Sequence, residues 1–400
     1  IVFNGSAISM DAFRTGNPGE FGDFLANQSQ RVINYIRGID QPEFVSTATP
    51  AYILPPFRSR QTDYDDDGNL ETWRMGDIVY STPTVVGRPA ENYHLLYRDT
   101  SYAVFADKFR NRRNVVYAGA NDGMFHAFNA GFYDEATKSF STQLTTETSH
   151  ELGAELWAYV PFNLLPHLYW LTEPTYPHVY FNDLKPKVFD AKVFPNGTYD
   201  DGTDGEPDWG TLLVGGMRFG GGQIIADMDK TDGNAAVAGD QVMSSAYFIL
   251  DITDPESAPE VLAEIRFEDL GYTTCYPAVV PMKDKDPATG TIQENEWYMV
   301  FGSGPASAAG TADINGSSEA LSGAASSQTA KLFVVDLQEL VLNKSLKTLD
   351  NHGVFTEAPA TVAGEHDYFQ SLDADSFVSD PVSVDFNLDY SADAVYFGTV

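Results

Sequence analysis

The 400-residue sequence holds a single cysteine, Cys275, so it can form no intrachain disulfide and no CxxC metal or redox centre. Positive charge is scarce as well: 24 Lys and Arg stand against 57 Asp and Glu, a formal net charge of −33. A surface of that sign repels phosphate backbones and anionic lipid heads, which argues against nucleic acid and membrane surfaces and makes cations the natural partners. The sequence lacks the run of ~18 apolar residues that marks a membrane span, and it lacks a charged-apolar-small leader at its start. HExxH spacing, a GxSxG elbow and the GK[ST] of a phosphate loop are also missing. The chain begins with Ile1 instead of Met, which predicts a processed or excised piece.

Apolar mass, by contrast, is plentiful. Hydrophobic residues make up 43% of the chain and aromatics 13%, enough for a packed interior and too much for a disordered chain. Phe21, Phe24, Leu25, Val32, Ile33 and Ile36 recur at helical spacing, predicting a helix within residues 20–38 that Gly38 would end. It is the one convincing helix. Nearly everything after it reads as short strands.

The stretch VVYAGANDGMFHAFNA at 115–130 shows the strand pattern best, with Asn121-Asp122-Gly123 as a hairpin turn between two apolar runs. Weaker echoes are TLLVGGMRFGGGQIIADMD from Thr211, SAYFILDITDP from Ser245, WYMVFGSG from Trp297 paired at a distance with KLFVVDL from Lys331, and AVYFGT from Ala394. Short strands recurring with glycine turns predict an all-β fold built by radial repetition, a β-propeller with long loop insertions. The segments 303–329 and Pro195 to Trp209 read as surface insertions unable to bury a core. The final AVYFGT stops where a partner strand is expected, so either the native chain continues or another segment pairs with it. Residues 1–40 are expected to be a linker and helix leading from an upstream region, and residues 41–400 the propeller, incomplete at its end.

Two loops carry the spacing of a short calcium loop, which offers side chains at positions 1, 3 and 5, a carbonyl at 7 and an acid at 9. In DYDDDGNLE these positions are Asp63, Asp65, Asp67, Asn69 and Glu71, with Gly68 at the sharp turn of position 6. In DFNLDYSAD they are Asp385, Asn387, Asp389, Ser391 and Asp393, but Tyr390 stands where glycine is expected. A tyrosine tolerates positive φ poorly, so that loop is expected to turn differently or to bear strain. The bland alternative for both is a solvated acidic turn. Two carboxylates about 4 Å apart cost roughly 4 kcal/mol at an effective dielectric of 20, which disfavours convergence without a cation, although exposed turns need not converge.

Other candidates have simpler explanations. GGMRFGGG at 215–222 is expected to be a strand turn with close backbone approach and not a nucleotide loop. His126, His167 and His178 lie among apolar residues and read as satisfied core or interface histidines. KFRNRR at 108–113 reads as a surface strand end neutralised by nearby acids, and DITDP at 251–255 as a strand leaving into an Asx or Pro turn.

The blocks RMGDIVYSTPTVVG, NVVYAGANDGMFHAFNA, GAELWAYVPFNLLPHLYWLTEPTYPHVYFND, WGTLLVGGMRFGGG, YFILDITDPE, LGYTTCYPAVV and WYMVFGSG, in this order, resemble the C-terminal domain of PilY-type proteins, tip-associated adhesins of bacterial type IV pili. The resemblance implies a modified seven-bladed β-propeller with an EF-hand-like DxDxDxxxD calcium loop. That pattern falls on Asp385, Asn387, Asp389 and Asp393, with Ser391 as the carbonyl donor and Asn387 replacing an acid. It further implies a noncatalytic, calcium-binding role in pilus biogenesis, control of extension and retraction, surface attachment and twitching motility. The implied location is the extracellular pilus tip, with minor pilins and a host or abiotic surface as partners. No family site maps onto Asp63 to Glu71, and RGID at 37–40 is not an RGD triplet.

Two alternatives belong to other classes. The YAGANDG pattern also resembles quinoprotein dehydrogenase propellers, yet such enzymes stack their cofactor on a vicinal disulfide that one cysteine cannot form. In a lectin-like propeller, exposed Trp170 or Trp209 would stack on sugars, whereas the packing alternative puts both in the core.

Overall fold

The computed structural model describes residues 22–47, 51, 53–134, 136–144, 147–199, 205–226, 241–267, 269–285, 292–306, 328–344, 346–349, 355–358, 369–370 and 375–400. Antiparallel sheets dominate. The first has five strands: Thr84–Val86, Asn114–Gly119 and Phe125–Asp134 in order, with both Ser139–Ser141 and Glu155–Tyr159 on the last of these. The second is a four-stranded ladder of Lys187–Phe194, Asp208–Gly216, Tyr247–Asp251 and Glu260–Ile265. The third has six strands built around Ala278–Lys285, Ile292–Gly302 and Lys331–Asp336. Four two-stranded hairpins complete the strand inventory of the described residues, and no strand among them joins the third sheet to the first to close a ring.

The sequence signals land where local chemistry is strongest. Gly119 pairs with Phe125 across the Asn121-Asp122-Gly123 turn. Gly123 takes φ 92° there, and the Asp122 carboxylate accepts from Met124 N at 2.9 Å. Met299 faces Val335, so WYMVFGSG and KLFVVDL do pair at a distance. Asp251 accepts from Thr253 N at 3.0 Å, the expected Asx turn. In GGMRFGGG, a Cβ on Gly220 would lie 2.1 Å from the Phe181 carbonyl oxygen, so the close backbone approach is real.

Other expectations are corrected. The helix runs Gly22–Ile36, with Gly38 at φ 89° beyond its end and Phe21 outside the described residues. Tyr93–Leu96, Thr100–Lys108 and Leu337–Asn343 are further helices, and Phe162–Thr172 is a 3-10 helix. The segment from Pro195 does bury a core residue, because Asp208 and Trp209 open a strand buried at every position. The two halves of TLLVGGMRFGGGQIIADMD belong to different sheets, since Ile224–Ala226 pairs with Gln241–Met243. Residues 307–327 lie outside the described residues, while Ser303–Ala306 and Ala330 on either side are buried.

Two more corrections concern single residues. Arg113 of KFRNRR is 1% exposed and holds Glu256 at 2.7 Å, a buried charge kept by its partner and by Asn129 at 2.9 Å. Trp170 is 42% exposed, not packed, whereas Trp209 is fully buried. For AVYFGT the second of the two expectations holds: another segment, Val382–Val384, pairs with it, with Ser383 facing Val395.

The largest core joins the second and third sheets. Trp209 and Trp297 meet edge to face at 5.5 Å, beneath the helices Thr100–Lys108 and Leu337–Asn343, whose Tyr102, Phe105, Leu337 and Leu340 join the same cluster. Asp99 and Asp336 cap these two helices by accepting from the backbone N–H three residues on. The first helix packs separately, Val32, Tyr35 and Ile36 meeting Leu164, Leu168 and Phe181 around the 3-10 helix. The Glu264 carboxylate fixes that 3-10 helix to the second sheet, accepting from Asn163 N at 3.2 Å and Asn163 Nδ2 at 2.7 Å as well as from Tyr159 Oη and Phe162 N.

Candidate calcium loops

Both acidic loops lie at hairpin tips. Gln61–Thr62 leads into the first and Glu71–Thr72 leaves it; Val382–Val384 and Ala394–Tyr396 do the same for the second. Their internal hydrogen bonds coincide position by position. In the first, Asp67 N donates to Asp63 Oδ1 at 3.1 Å and Asp65 Oδ1 at 3.3 Å, Gly68 N to Asp63 Oδ2 at 3.1 Å, and Asn69 N to Asp67 Oδ1 at 2.8 Å. In the second, Asp389 N donates to Asp385 Oδ1 at 3.2 Å and Asn387 Oδ1 at 2.9 Å, Tyr390 N to Asp385 Oδ2 at 3.0 Å, and Ser391 N to Asp389 Oδ1 at 3.0 Å. Positions 4 and 6 take positive φ in both: Asp66 59° and Gly68 87°, Leu388 57° and Tyr390 72°.

Tyr390 thus turns as glycine would, and the expectation of a different turn is corrected. The strain of a bulky residue at that φ is of order 1–3 kcal/mol. Packing offsets it: the Tyr390 ring stacks on Tyr97 at 4.1 Å and 11°, approaches Tyr93 at 5.5 Å, and its hydroxyl donates to Asp99 Oδ2 at 3.2 Å. Sequence reasoning missed Tyr93, Tyr97 and Asp99, which lie almost three hundred positions away. The one signal was Tyr390 itself, since a large side chain in a glycine position demands a pocket. The third sheet supports the loop from its other side, Lys283 N donating to Ser391 Oγ at 3.1 Å and Ala392 N to Pro281 O at 2.8 Å.

The donor sets differ in convergence. Asp63, Asp65 and Glu71 each bring a carboxylate oxygen within 4.8 Å of the others, the one such three-acid group among the described residues. Glu71 Oε2 is buried and has no hydrogen-bond partner, as a ligand oxygen awaiting a cation would be, and the hard oxygen set suits calcium. Asn69 donates to Asp67 from both its backbone and its side chain, holding that carboxyl below its ordinary pKa. In the second loop Asp393 Oδ2 instead accepts from Phe386 N at 2.8 Å. Slight burial works to raise the Asp385 pKa, but donors from Tyr390, Asp389 and Tyr97 outweigh it and keep the carboxyl below its ordinary range.

The remaining titratable candidates serve structure. His126 is 3% exposed, with Nε2 at 3.1 Å from Asp122 and Nδ1 at 2.6 Å from Glu155. Burial alone would lower its pKa, yet the two carboxylates overcome that and raise it to about 9. His167 is pushed down to about 4 by burial while it hydrogen-bonds the Gly222 carbonyl. His178 is not buried among apolar residues; it is partly exposed and pairs with Asp77 at 2.9 Å. Cys275 is buried, and burial pushes its thiol up to about 12, the opposite of an activated nucleophile.

Sequence comparison supplies the kinship. Residues 75–337, about two-thirds of the chain, match the family profile described as PilY1 beta-propeller domain; both acidic loops lie outside that span. A type IV pilus biogenesis factor PilY1 homolog of Xylella fastidiosa is 29% identical over 302 residues, covering 72% of this chain and 15% of that protein. The type IV pilus biogenesis factor PilY1 of Pseudomonas aeruginosa is 25% identical over 361 residues, covering 88% of this chain and 24% of that protein. The chain therefore spans less than a quarter of the length of these relatives. The crystal structure of the Pseudomonas aeruginosa PilY1 C-terminal domain aligns with a TM-score of 0.41 at 22% identity, over 79% of this chain and 43% of that one. With the first two large sheets and the three central strands of the third inside the matched span, the chain belongs to the PilY1 beta-propeller family.

Proposed function

We propose that this chain is a noncatalytic, calcium-binding propeller that acts in type IV pilus biogenesis. Both loops are its calcium sites, held by Asp63, Asp65, Asp67, Asn69 and Glu71 and by Asp385, Asn387, Asp389, Ser391 and Asp393. The observation that carries the reading is the shared hydrogen-bond skeleton of two loops with different sequences, each at a hairpin tip, together with the convergence of Asp63, Asp65 and Glu71 in the first. The pilus role rests on the similarity to type IV pilus biogenesis factors. On this reading the protein works at the extracellular pilus tip with minor pilins, in extension and retraction, twitching and attachment to a host or abiotic surface. Bound calcium would draw the carboxylates of each loop together and stiffen its hairpin.

Calorimetry tests the sites. Calcium should bind with two equivalents per chain, falling to one in Asp385→Ala/Asp393→Ala and to one in Asp63→Ala/Asp65→Ala. Stoichiometry unchanged by either pair removes that loop from the assignment. A pilus-assembly defect in a strain lacking the full-length protein, restored equally by the wild-type protein and by its quadruple variant, would separate calcium from the pilus role.

A further inference from the structure

A cleft of about 350 Å³ opens at the base of the Gln61–Thr62 and Glu71–Thr72 hairpin, where it meets the end of the first helix. Its wall carries Arg58, Arg60, Arg74, Asp77, Asp122 and Trp73. Three guanidiniums against two carboxylates give the cleft a slight positive excess in a chain whose net charge is −33. The two acids have partners of their own. Asp77 pairs with His178 at 2.9 Å, while Asp122 holds His126 at 3.1 Å and accepts from Gly76 N at 2.8 Å.

Arg58 and Arg60 are hydrogen-bonded by neutral groups, with Asp40 the acid that acts on Arg60 from nearby. Arg60 donates to the Tyr35 carbonyl and lies 3.7 Å over the Tyr35 ring. Arg58 donates to Tyr35 Oη at 3.3 Å and lies 4.2 Å over the Tyr176 ring. Among the described residues none of Arg58, Arg60 and Arg74 makes an ion pair, and Arg60 Nε is buried with no hydrogen-bond partner. Cations fixed on aromatic faces with donors to spare are a site prepared for an anion.

We propose that this cleft binds the carboxylate of an acidic sugar unit, a uronate-type monosaccharide residue. The planar fork of a guanidinium matches a carboxylate with two parallel hydrogen bonds. Trp73, 55% exposed at the rim, offers the flat apolar face on which the C–H side of a pyranose packs. Gln61 and Thr62, also in the wall, supply neutral partners for hydroxyls. The partly exposed Asp77 carboxylate can accept from a hydroxyl, and with the buried Asp122 it repels a doubly charged phosphate, so the mixed wall favours one negative charge with O–H groups around it. The volume is at the lower end of small-ligand clefts, ~300–1,000 Å³, and suits a single ring.

The test is a calorimetric or NMR titration of the whole chain with D-glucuronate and D-galacturonate, compared with D-glucose, inorganic phosphate and N-acetylglutamate. At least one uronate should bind roughly tenfold tighter than each comparison ligand, since the charge-assisted pair is lost in glucose and the hydroxyl contacts are lost in the others. Arg74→Gln should weaken uronate binding about tenfold with the melting temperature unchanged, because Arg74 is exposed. Trp73→Ala should weaken it as well. Uronates binding no tighter than glucose, tighter binding of phosphate or N-acetylglutamate, or full uronate affinity in Arg74→Gln would each overturn the proposal. Calcium stoichiometry, measured in the same samples, keeps the outcome separate from the loop assignment.

Discussion

At the scale of single residues, Tyr390 and Gly68 solve one backbone problem in two ways. Gly68 at φ 87° has nothing within 4 Å of where a Cβ would stand, so Gly68→Ala should cost only backbone strain, about 1 kcal/mol. Tyr390→Gly relieves a similar strain but forfeits the Tyr97 stack and the Asp99 hydrogen bond. Its net effect should be a loss of about 1–3 kcal/mol in denaturant unfolding; a gain in stability would show that the aromatic pocket contributes little. His126 carries the pH dependence. Its folded pKa of about 9 exceeds the ordinary 6.5, so its contribution is complete below pH 6.5 and fades as pH rises through 9. A decline on the order of 2 kcal/mol is expected across that window, and His126→Gln should flatten it in unfolding curves recorded at stepped pH.

At the scale of elements, the 3-10 helix Phe162–Thr172 depends on one acid. Glu264→Ala would strip the acceptor from the N–H groups of Phe162 and Asn163 and from Tyr159 Oη. The expected loss is about 2–4 kcal/mol, read by chemical denaturation, with earlier hydrogen exchange in 162–172; equal protection in the variant would refute the anchoring role. What the sequence revealed and concealed also divides by element. Alternating apolar runs around a glycine turn exposed the 115–130 hairpin and the distant pairing of Met299 with Val335. The helices at Tyr93–Leu96, Thr100–Lys108 and Leu337–Asn343 span too few turns for their period to show, and Tyr102 and Phe105 read as strand residues by composition. Packing was the alternative that suited Trp209, but the polar run before it concealed that it opens a buried strand, because burial is decided by the neighbouring strands, which no local window contains. For the loops, spacing disclosed two matching turns, whereas the aromatic pocket around Tyr390 comes from helices distant in sequence.

At the scale of the whole molecule, charge is the dominant fact. A chain at −33 stores self-repulsion that salt screens. Raising NaCl from about 10 mM to about 150 mM shortens the Debye length from ~30 Å to ~8 Å and should raise the melting temperature by several degrees. Calorimetric scans check this, and a melting temperature that falls with salt would mean that local ion pairs such as Arg113 with Glu256 outweigh the global repulsion. The Arg58, Arg60 and Arg74 cleft is the exception in this field, and its isolation among acids sharpens its preference for a ligand that also satisfies them.

The aromatic surroundings of the two loops have an optical consequence. Tyr64 of the first loop touches Trp73 at 5.9 Å, and Tyr390 of the second lies 6.4 Å from Trp297. Trp73 is 55% exposed and Trp297 1%, so one indole emits from water and the other from a dry core. Each loop therefore has its own indole beside it, red-shifted for Asp63 to Glu71 and blue-shifted for Asp385 to Asp393; because Trp170 is exposed and Trp209 buried as well, Trp73→Phe and Trp297→Phe variants are what assign an emission change on calcium titration to one proposed site or the other.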